Sequence, residues 1–519
     1  TFLWNFCPSA TLLPPFLASP SLPASLSTVS KIASPPPPDQ CCLPSHSTTH
    51  IHDLPPPLLF PEHSSLFLSS LLSTRLVCDT TASLHAMGNS LINPRKEMHF
   101  CENDQFVAVH VTAQGSRQTN EDCSIQDCQG QIFAILDGHD GKHVSSYLSQ
   151  HLGEEICKQA RQKRSTFSSS EDPPPYASLT NEELQKIFLD TDDQLKDYMR
   201  TQKIGFKADR FSGGSTAVVT LVDTTSSPGD YELICVNTGD SRAFFIDSNN
   251  SLVTLSKDHR TKTERSRIEK AGGRVFNGRV CLSKTSSISM GVCRAFGDFT
   301  FKSNTNLAAA DQVITTLPDI IRVKRSFKSS SPKVKSKGSI HPTICLACDG
   351  LFDVMNSAQV KDMISNFYSE TNLFDNSPLP ADLMQPVADC FLYKDFSMWA
   401  SNDIDSYLFS LGSKYTHISS LGVLDGSMMK KLATGQVSRE QFLKKGNEQH
   451  LGLVYDMIIP HLKEELESQR AWKNRQPYRT AAEKLTLLAS QIIDKALYQF
   501  RSTDNVSVML VVFKEPTKE

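Results

Sequence analysis

The chain has 519 residues, 53 Lys plus Arg against 56 Asp plus Glu, a formal charge of -3, and 39% hydrophobic and 8% aromatic residues, the profile of a soluble globular protein. At roughly 100 to 200 residues per domain, that length predicts two to four units or one large domain with insertions. The near-neutral balance argues against a general nucleic-acid binder, which carries a strongly basic face, and no run approaches about 18 consecutive apolar residues, which argues against a membrane-spanning helix.

Residues 1–86 hold 14 of the 28 Pro, only Lys31 and Arg75 as strong bases, and four acids. Such a segment cannot bury enough apolar surface to offset its ordering entropy, so disorder is predicted. The first Met is Met87, so one reading takes 1–86 as leader sequence absent from the working protein. A targeting peptide is the rival reading, weakened by the lack of Arg enrichment. With Met87 as the start, Gly88 heads a near-match to an N-myristoylation signal, although Ile92 stands where Ser or Thr is preferred. A single acyl chain would give weak, reversible membrane attachment. Residues 87–104 are assigned to an N-terminal arm.

From residue 105 the texture becomes α/β. Phe106 to Val111 and Gln131 to Leu136 read as strands. Val144, Tyr147, Leu148, Leu152 and Ile156 recur at helical spacing, predicting a helix over 142–160. A second helix starts at Thr180, where Thr180-x-x-Glu183 forms a capping box. Strands follow at 215–222, 232–237 and 242–246, and the tail closes with a helix over 480–500 and a strand over 506–513. Arg322 to Lys337 carries seven Lys or Arg and no acid, and reads as an exposed basic loop. Residues 372–480 hold further helical periodicity, notably 451–472, and are assigned to an inserted helical subdomain. The 14 Cys are scattered without the density of a small secreted scaffold, and are read as mostly reduced and buried. Cys345 and Cys348 have no second CxxC to complete a zinc site and are assigned to the core.

The chemistry lies where strands end in acids. Asp137 and Gly138 follow Ile132 to Leu136, Asp240 follows Leu233 to Gly239, and Asp349 follows Ile344 to Cys348. Asp504 and Asn505 precede the last strand, and Glu121-Asp122 follow the first. Carboxylates at the mouths of buried strands are costly to desolvate and repel one another unless a cation joins them. Hard oxygen ligands select Mg²⁺ or Mn²⁺ over zinc, and two such ions suit phosphate ester hydrolysis.

The segments Arg117-Gln-Thr-Asn-Glu121-Asp122, Leu136-Asp-Gly-His-Asp-Gly141, Gly213-Gly-Ser-Thr216, Thr238-Gly-Asp-Ser-Arg242, Asp258-His259 with Ala271-Gly-Gly273, Arg294-Ala-Phe-Gly-Asp298, Cys348-Asp-Gly-Leu-Phe-Asp353 and Thr503-Asp-Asn505 resemble, in order, the motif series of the protein phosphatase 2C family. The resemblance runs from about 105 to 514, interrupted by the insertion. It implies an α+β fold, a central β-sandwich of two antiparallel sheets flanked by helices (αββα), with the catalytic domain over 105–371 and 481–514. It implies a metal-dependent serine/threonine protein phosphatase with two Mg²⁺ or Mn²⁺ ions and a weaker third. In that assignment Asp137 bridges the two metals, Asp349 and Asp504 complete one, and Glu121 and the Gly138 carbonyl bind the other. Asp240 and Asp349 serve the third, and Asp122, Asp353 and Asn505 orient waters. Arg117 offers a planar fork to phosphate, and His139 is placed to protonate the departing serine or threonine oxygen.

The resemblance further implies phosphoprotein substrates, no nucleic acid, a monomer, and a cytoplasmic or nuclear enzyme that associates with membranes if Gly88 is acylated. Asp140 stands where the family usually has a small residue, and its charge is expected to tune metal affinity or raise the His139 pKa. Cys293 replaces a more usual Ser. The rival readings are a catalytically dead scaffold, which would be expected to have lost Asp137, Asp349 or Asp504, a hydrolase of small phosphate esters using the same site, and a nucleic-acid or anionic-lipid contact through the basic stretch Arg322 to Lys337, against which charge runs are usually solvated faces.

Overall fold

Continuous apolar runs of five to nine residues, bounded by turn residues, suit strands covered on both faces. The computed structural model describes residues 96–163, 174–207, 210–211, 213–225, 230–283, 288–326, 339–384, 396–410, 424–446, 448–473 and 478–514. In chain order the first half provides β1 (Lys96–Glu102), β2 (Phe106–Ala113), β3 (Cys123–Asp127), β4 (Ile132–Leu136), α1 (His143–Gln162) and α2 (Asn181–Gln202). There follow β5 (Ala217–Asp223), β6 (Asp230–Thr238), β7 (Arg242–Ile246), β8 (Leu252–Thr254), α3 (Thr261–Lys270), β9 (Asp319–Ser326) and β10 (Thr343–Ala347). The rest comprises α4 (Ser357–Glu370), α5 (Ser401–Ser410), α6 (Gly426–Ala433), α7 (Arg439–Leu443), α8 (Glu448–Lys473), α9 (Ala481–Asp494) and β11 (Val506–Phe513).

Two antiparallel sheets result, ordered β1-β2-β11-β10-β7-β8 and β9-β6-β5-β4-β3. Alternate residues of each strand enter different cores, as a period of two requires. Phe106, Phe133, Leu233, Phe245, Leu346 and Phe513 fill the space between the sheets. Val109 and Val508, one residue out of phase, pack instead with Ile364 of α4 and Leu488 of α9. Ala134 and Val219 pack with Leu148 of α1 and Phe188 of α2 on the outer face of the second sheet. The architecture is therefore the expected mixed fold, a sandwich with helices on both outer faces. Capping boxes start α2 (Thr180, Glu183), α4 (Asn356, Gln359) and α9 (Thr480, Glu483), each satisfying two otherwise orphaned backbone donors.

Several sequence expectations change in detail. The assigned arm contributes β1, whose Lys96 is buried and donates from Nζ to Asp494 Oδ1 (2.5 Å), Ser490 Oγ (2.6 Å) and Ser490 O (3.1 Å). The start of the expected basic loop is the edge strand β9, because pairing with β6 outweighs the charge run; Arg322 there donates to Leu179 O and lies 3.5 Å from Glu232. Its remainder, 327–337, lies outside the described residues, as do 1–86 and Gly88. Cys101 and Cys128 form a disulfide, with Cα atoms 6.0 Å apart, while seven other described cysteines are free. Cys345 and Cys348 enter opposite cores. The α9 helix ends at Asp494 and continues as a wider turn to Gln499.

The insertion carries its own core of Trp399, Tyr407, Met429, Phe442, Leu451 and Ile458. Leu373, Leu379 and Tyr478 join the core under α4 and α9 instead, so the insertion's own packing is narrower than 372–480. Among the described residues, no helix is long and apolar enough to cross a membrane.

Candidate metal centre

The inner faces of four strands change character at one end. Read toward it, β2 presents Phe106, Ala108, His110 and Thr112; β11 presents Phe513, Val511, Met509 and Ser507, then Asn505. Likewise β10 runs Ile344, Leu346, Cys348, and β4 runs Phe133, Ile135, Asp137. The register Thr112 opposite Ser507, with Ala347 opposite Val508, brings these polar positions to the same edge. The acids at the strand ends meet there.

Asp122, Asp137 and Cys348 each offer a ligand atom, all within 4.8 Å of one another. Ser507 Oγ donates to Asp122 Oδ2 at 2.6 Å, while Asp122 Oδ1 and Asp240 Oδ1 are buried without a hydrogen-bond partner among the described residues. Burial, then the charges of Asp349, Asp122, Asp240 and Asp504, hold Asp137 well above the ordinary carboxylate range. Burial pushes Asp122 up to about 7, with Asp349 and Asp504 adding to it against the Ser507 and Cys348 hydrogen bonds. Asp240 is pushed to about 7 by burial and then Asp349, against the pull of Arg260. Asp349 is raised by burial, then by Asp353 and Asp504.

Carboxylates that raise one another in this way, two with orphaned buried oxygens, form a donor set that fits divalent cations. Burial and then Asp122, Asp137 and Asp349 hold Cys348 well above the usual thiol range, and its Sγ is engaged by Asn505 O (3.4 Å) and Ser507 N (3.1 Å).

The other predicted residues surround this cluster. Gly138 packs on the Glu121 carbonyl so closely that a Cβ would collide with it, and that carbonyl accepts from Ser145 Oγ at 2.6 Å. Glu121 Oε1 accepts from Thr119 Oγ1 at 3.1 Å. Arg117, at the rim, donates from Nη2 to Asp504 Oδ2 at 2.5 Å. The Asn505 amide is bonded to backbone: Oδ1 accepts from Glu121 N (3.0 Å), and Nδ2 donates to Gln114 O (2.8 Å) and Thr119 O (2.9 Å). It pins the loop that carries Arg117 and Glu121. Asp353 is exposed and holds Arg260 at 2.7 Å.

His139 Nε2 lies 2.9 Å from Asp298 Oδ2. Burial works against a charge on His139, but Asp298 first, then Asp240 and Glu121, outweigh it and raise its pKa above the ordinary value. The main charge partner is thus Asp298, where the sequence had suggested Asp140. Asp298 sits on a left-handed backbone (φ 50°) next to Gly297, whose N–H donates to Asp192 Oδ1 of α2 at 2.8 Å; Lys302 binds the other oxygen at 2.6 Å. Gly214 runs between the two partners: a Cβ there would meet His139 Nε2 at 2.5 Å and Asp298 Oδ2 at 2.6 Å.

Sequence reasoning quoted Asp298 within a motif without giving it a role, and it missed Arg260, Ser145 and Ser507. The Gly-Asp ending of Arg294 to Asp298 was the available signal. Ser507 could be found only by counting β11 in steps of two toward Asn505.

The family model described as Protein phosphatase 2C matches residues 97–387, more than half of the chain. A relative from Caenorhabditis elegans named as a probable protein phosphatase 2C is 32% identical over 302 residues, covering 55% of this chain and 70% of that one. Probable protein phosphatase 2C 6 of Paramecium tetraurelia is 26% identical over 309 residues, 58% of this chain and 89% of its own. Among solved structures, a phosphatase from a pathogenic strain of Toxoplasma gondii has a TM-score of 0.44 at 21% identity, covering 82% of this chain and 97% of that chain. On that match, the chain belongs to the protein phosphatase 2C family, the metal-dependent serine/threonine protein phosphatases.

Proposed function

We propose that this centre hydrolyses phosphoserine and phosphothreonine in protein substrates with Mg²⁺ or Mn²⁺ held by Glu121, Asp137, the Gly138 carbonyl, Asp349 and Asp504, and with Asp240 and Asp349 available to a weaker third ion. The observation that supports the reading is the mutual pressure of Asp122, Asp137, Asp240 and Asp349 at one polar sandwich end. Divalent cations bound there would supply Lewis-acid activation of water and neutralise charge at phosphorus.

The chain's own residues supply the rest. Arg117 keeps one edge of its guanidinium on Asp504 and offers the other, at the solvent rim, to two phosphate oxygens. His139 is held through Nε2 by Asp298, leaving Nδ1 to serve the leaving oxygen. As the P–O bond breaks, the departing serine or threonine oxygen takes a proton from the imidazolium, and Asp298 keeps that cation formed and oriented. Asn505 and Ser145 hold the Arg117–Glu121 loop in register with Gly138. Asp122, braced by Ser507, lends a further carboxylate behind Asp137.

The test is phosphate release from a phosphothreonine peptide by the full chain with Mn²⁺, with a chelator, and as Asp349→Ala, run beside small phosphate esters. Activity is expected with Mn²⁺ alone and favours the peptide. Chelator-resistant hydrolysis, or an inactive folded protein with metal bound, would refute the reading; the latter favours a scaffold.

A further inference from the structure

Arg260 immediately precedes α3, and its guanidinium faces three carboxylates. Nη1 lies 3.3 Å from Asp240 Oδ2, and Nη2 lies 2.7 Å from Asp353 Oδ1 and 3.4 Å from Asp258 Oδ2. Asp258 already has a partner: Arg242 grips it through Nε (3.0 Å) and Nη2 (2.8 Å) while lying over the Phe352 ring at 4.5 Å. The Arg260 charge is therefore directed chiefly at Asp240 and Asp353. Asp240 is 3% exposed and its Oδ1 has no hydrogen-bond partner among the described residues, so a buried oxygen remains open beside the one that Arg260 faces. The Arg260 side chain is 39% exposed and can swing outward without opening a core. A guanidinium stays charged at any working pH, so it can leave these acids only by moving.

We propose that Arg260 is a counter-ion tethered to Asp240 and Asp353 that competes with the weaker third cation for Asp240, and thereby sets the affinity of the weakest cation-binding event of the centre. The inference rests on the metal-centre reading above and deepens it by assigning a role to a residue that binds neither phosphate nor metal. Binding at these acids becomes an exchange. A dication enters, a monocation withdraws, and the local gain is one charge instead of two. An arginine there keeps the outermost acids neutralised while leaving them available at high cation concentration.

The experiment is a Mn²⁺ titration of the full chain, following the electron paramagnetic resonance signal of free Mn²⁺. Arg260→Gln keeps a shorter, polar side chain but removes the charge, and is expected to tighten the weakest event by about tenfold, the scale of two partly exposed ion pairs. Arg260→Lys should stay near wild type. Arg265→Gln removes the same charge from an exposed pair with Glu269 on the same helix and should leave the isotherm unchanged. An unmoved or weakened event in Arg260→Gln, or equal tightening by Arg265→Gln, would overturn the proposal. A second measurement needs no variant: phenylglyoxal labelling of wild type, read by mass spectrometry, should show Arg260 growing more reactive as Mn²⁺ fills the weakest site. Constant reactivity would also overturn it. Absence of the tighter events in wild type would count against the metal-centre reading itself, which keeps the two failures apart.

Discussion

Removing divalent cations from the folded protein should make its stability fall as pH rises, the reverse of ordinary acid denaturation. Asp122 and Asp240 move from an ordinary value near 3.8 to about 7 on folding, through burial first. Between those values the folded chain keeps protons that the unfolded chain has released. Stability is therefore greatest below the unfolded pKa and declines as pH climbs toward 7. At about 1.4 kcal/mol per pH unit, each group contributes on the order of 4 kcal/mol at most. Asp349 presses on both, so the two do not add fully, and about 3 to 5 kcal/mol between pH 5 and 7 is expected for the pair. Buried His110 acts oppositely: desolvation lowers it to about 3, so its contribution grows as pH rises toward 6.5. Comparing Mg²⁺-loaded with chelated protein cancels His110 and isolates the carboxylates. The gap between the two thermal midpoints should widen by about 6 to 10 °C across that window, at roughly 2 °C per kcal/mol. A gap that stays constant with pH would mean these acids are already ionised at pH 5, and would refute the electrostatic account of the site.

The His139–Asp298 pair and the buried Lys96–Asp494 pair can each be tested by substitution. Asp298→Asn should lower kcat on a phosphothreonine peptide by about 100- to 1000-fold with little change in KM. The loss should be far smaller on p-nitrophenyl phosphate, whose leaving group departs without a proton, and equal losses on both would sink the general-acid role of His139. Lys96→Met strands the buried Asp494 carboxylate and should cost about 3 to 5 kcal/mol in chemical denaturation. Adding Asp494→Leu should recover most of that, and a single-variant cost below about 1 kcal/mol would show the pair to be ordinary surface chemistry.

Much of this could be read along the chain because it depends on neighbours in sequence. Apolar runs ending in Asp137, Asp240 and Asp349, the capping box at Thr180, and the last strand at Val506–Phe513 all follow from short-range periodicity and local hydrogen bonding. The oxygen-rich character of the site followed too, since residue type alone decides ligand hardness. What remained was settled by pairings across long separations. Arg117 meets Asp504 and Asn505 meets Glu121 only because β2 and β11 lie side by side in a particular register. The same long-range packing gives His139 its Asp298 partner, turns part of an assumed arm into β1, and draws the start of a basic run into β9. A sequence carries the alternation of a strand but not the identity of the strand beside it; register is fixed by burying both sheet faces at once, which only the folded chain does.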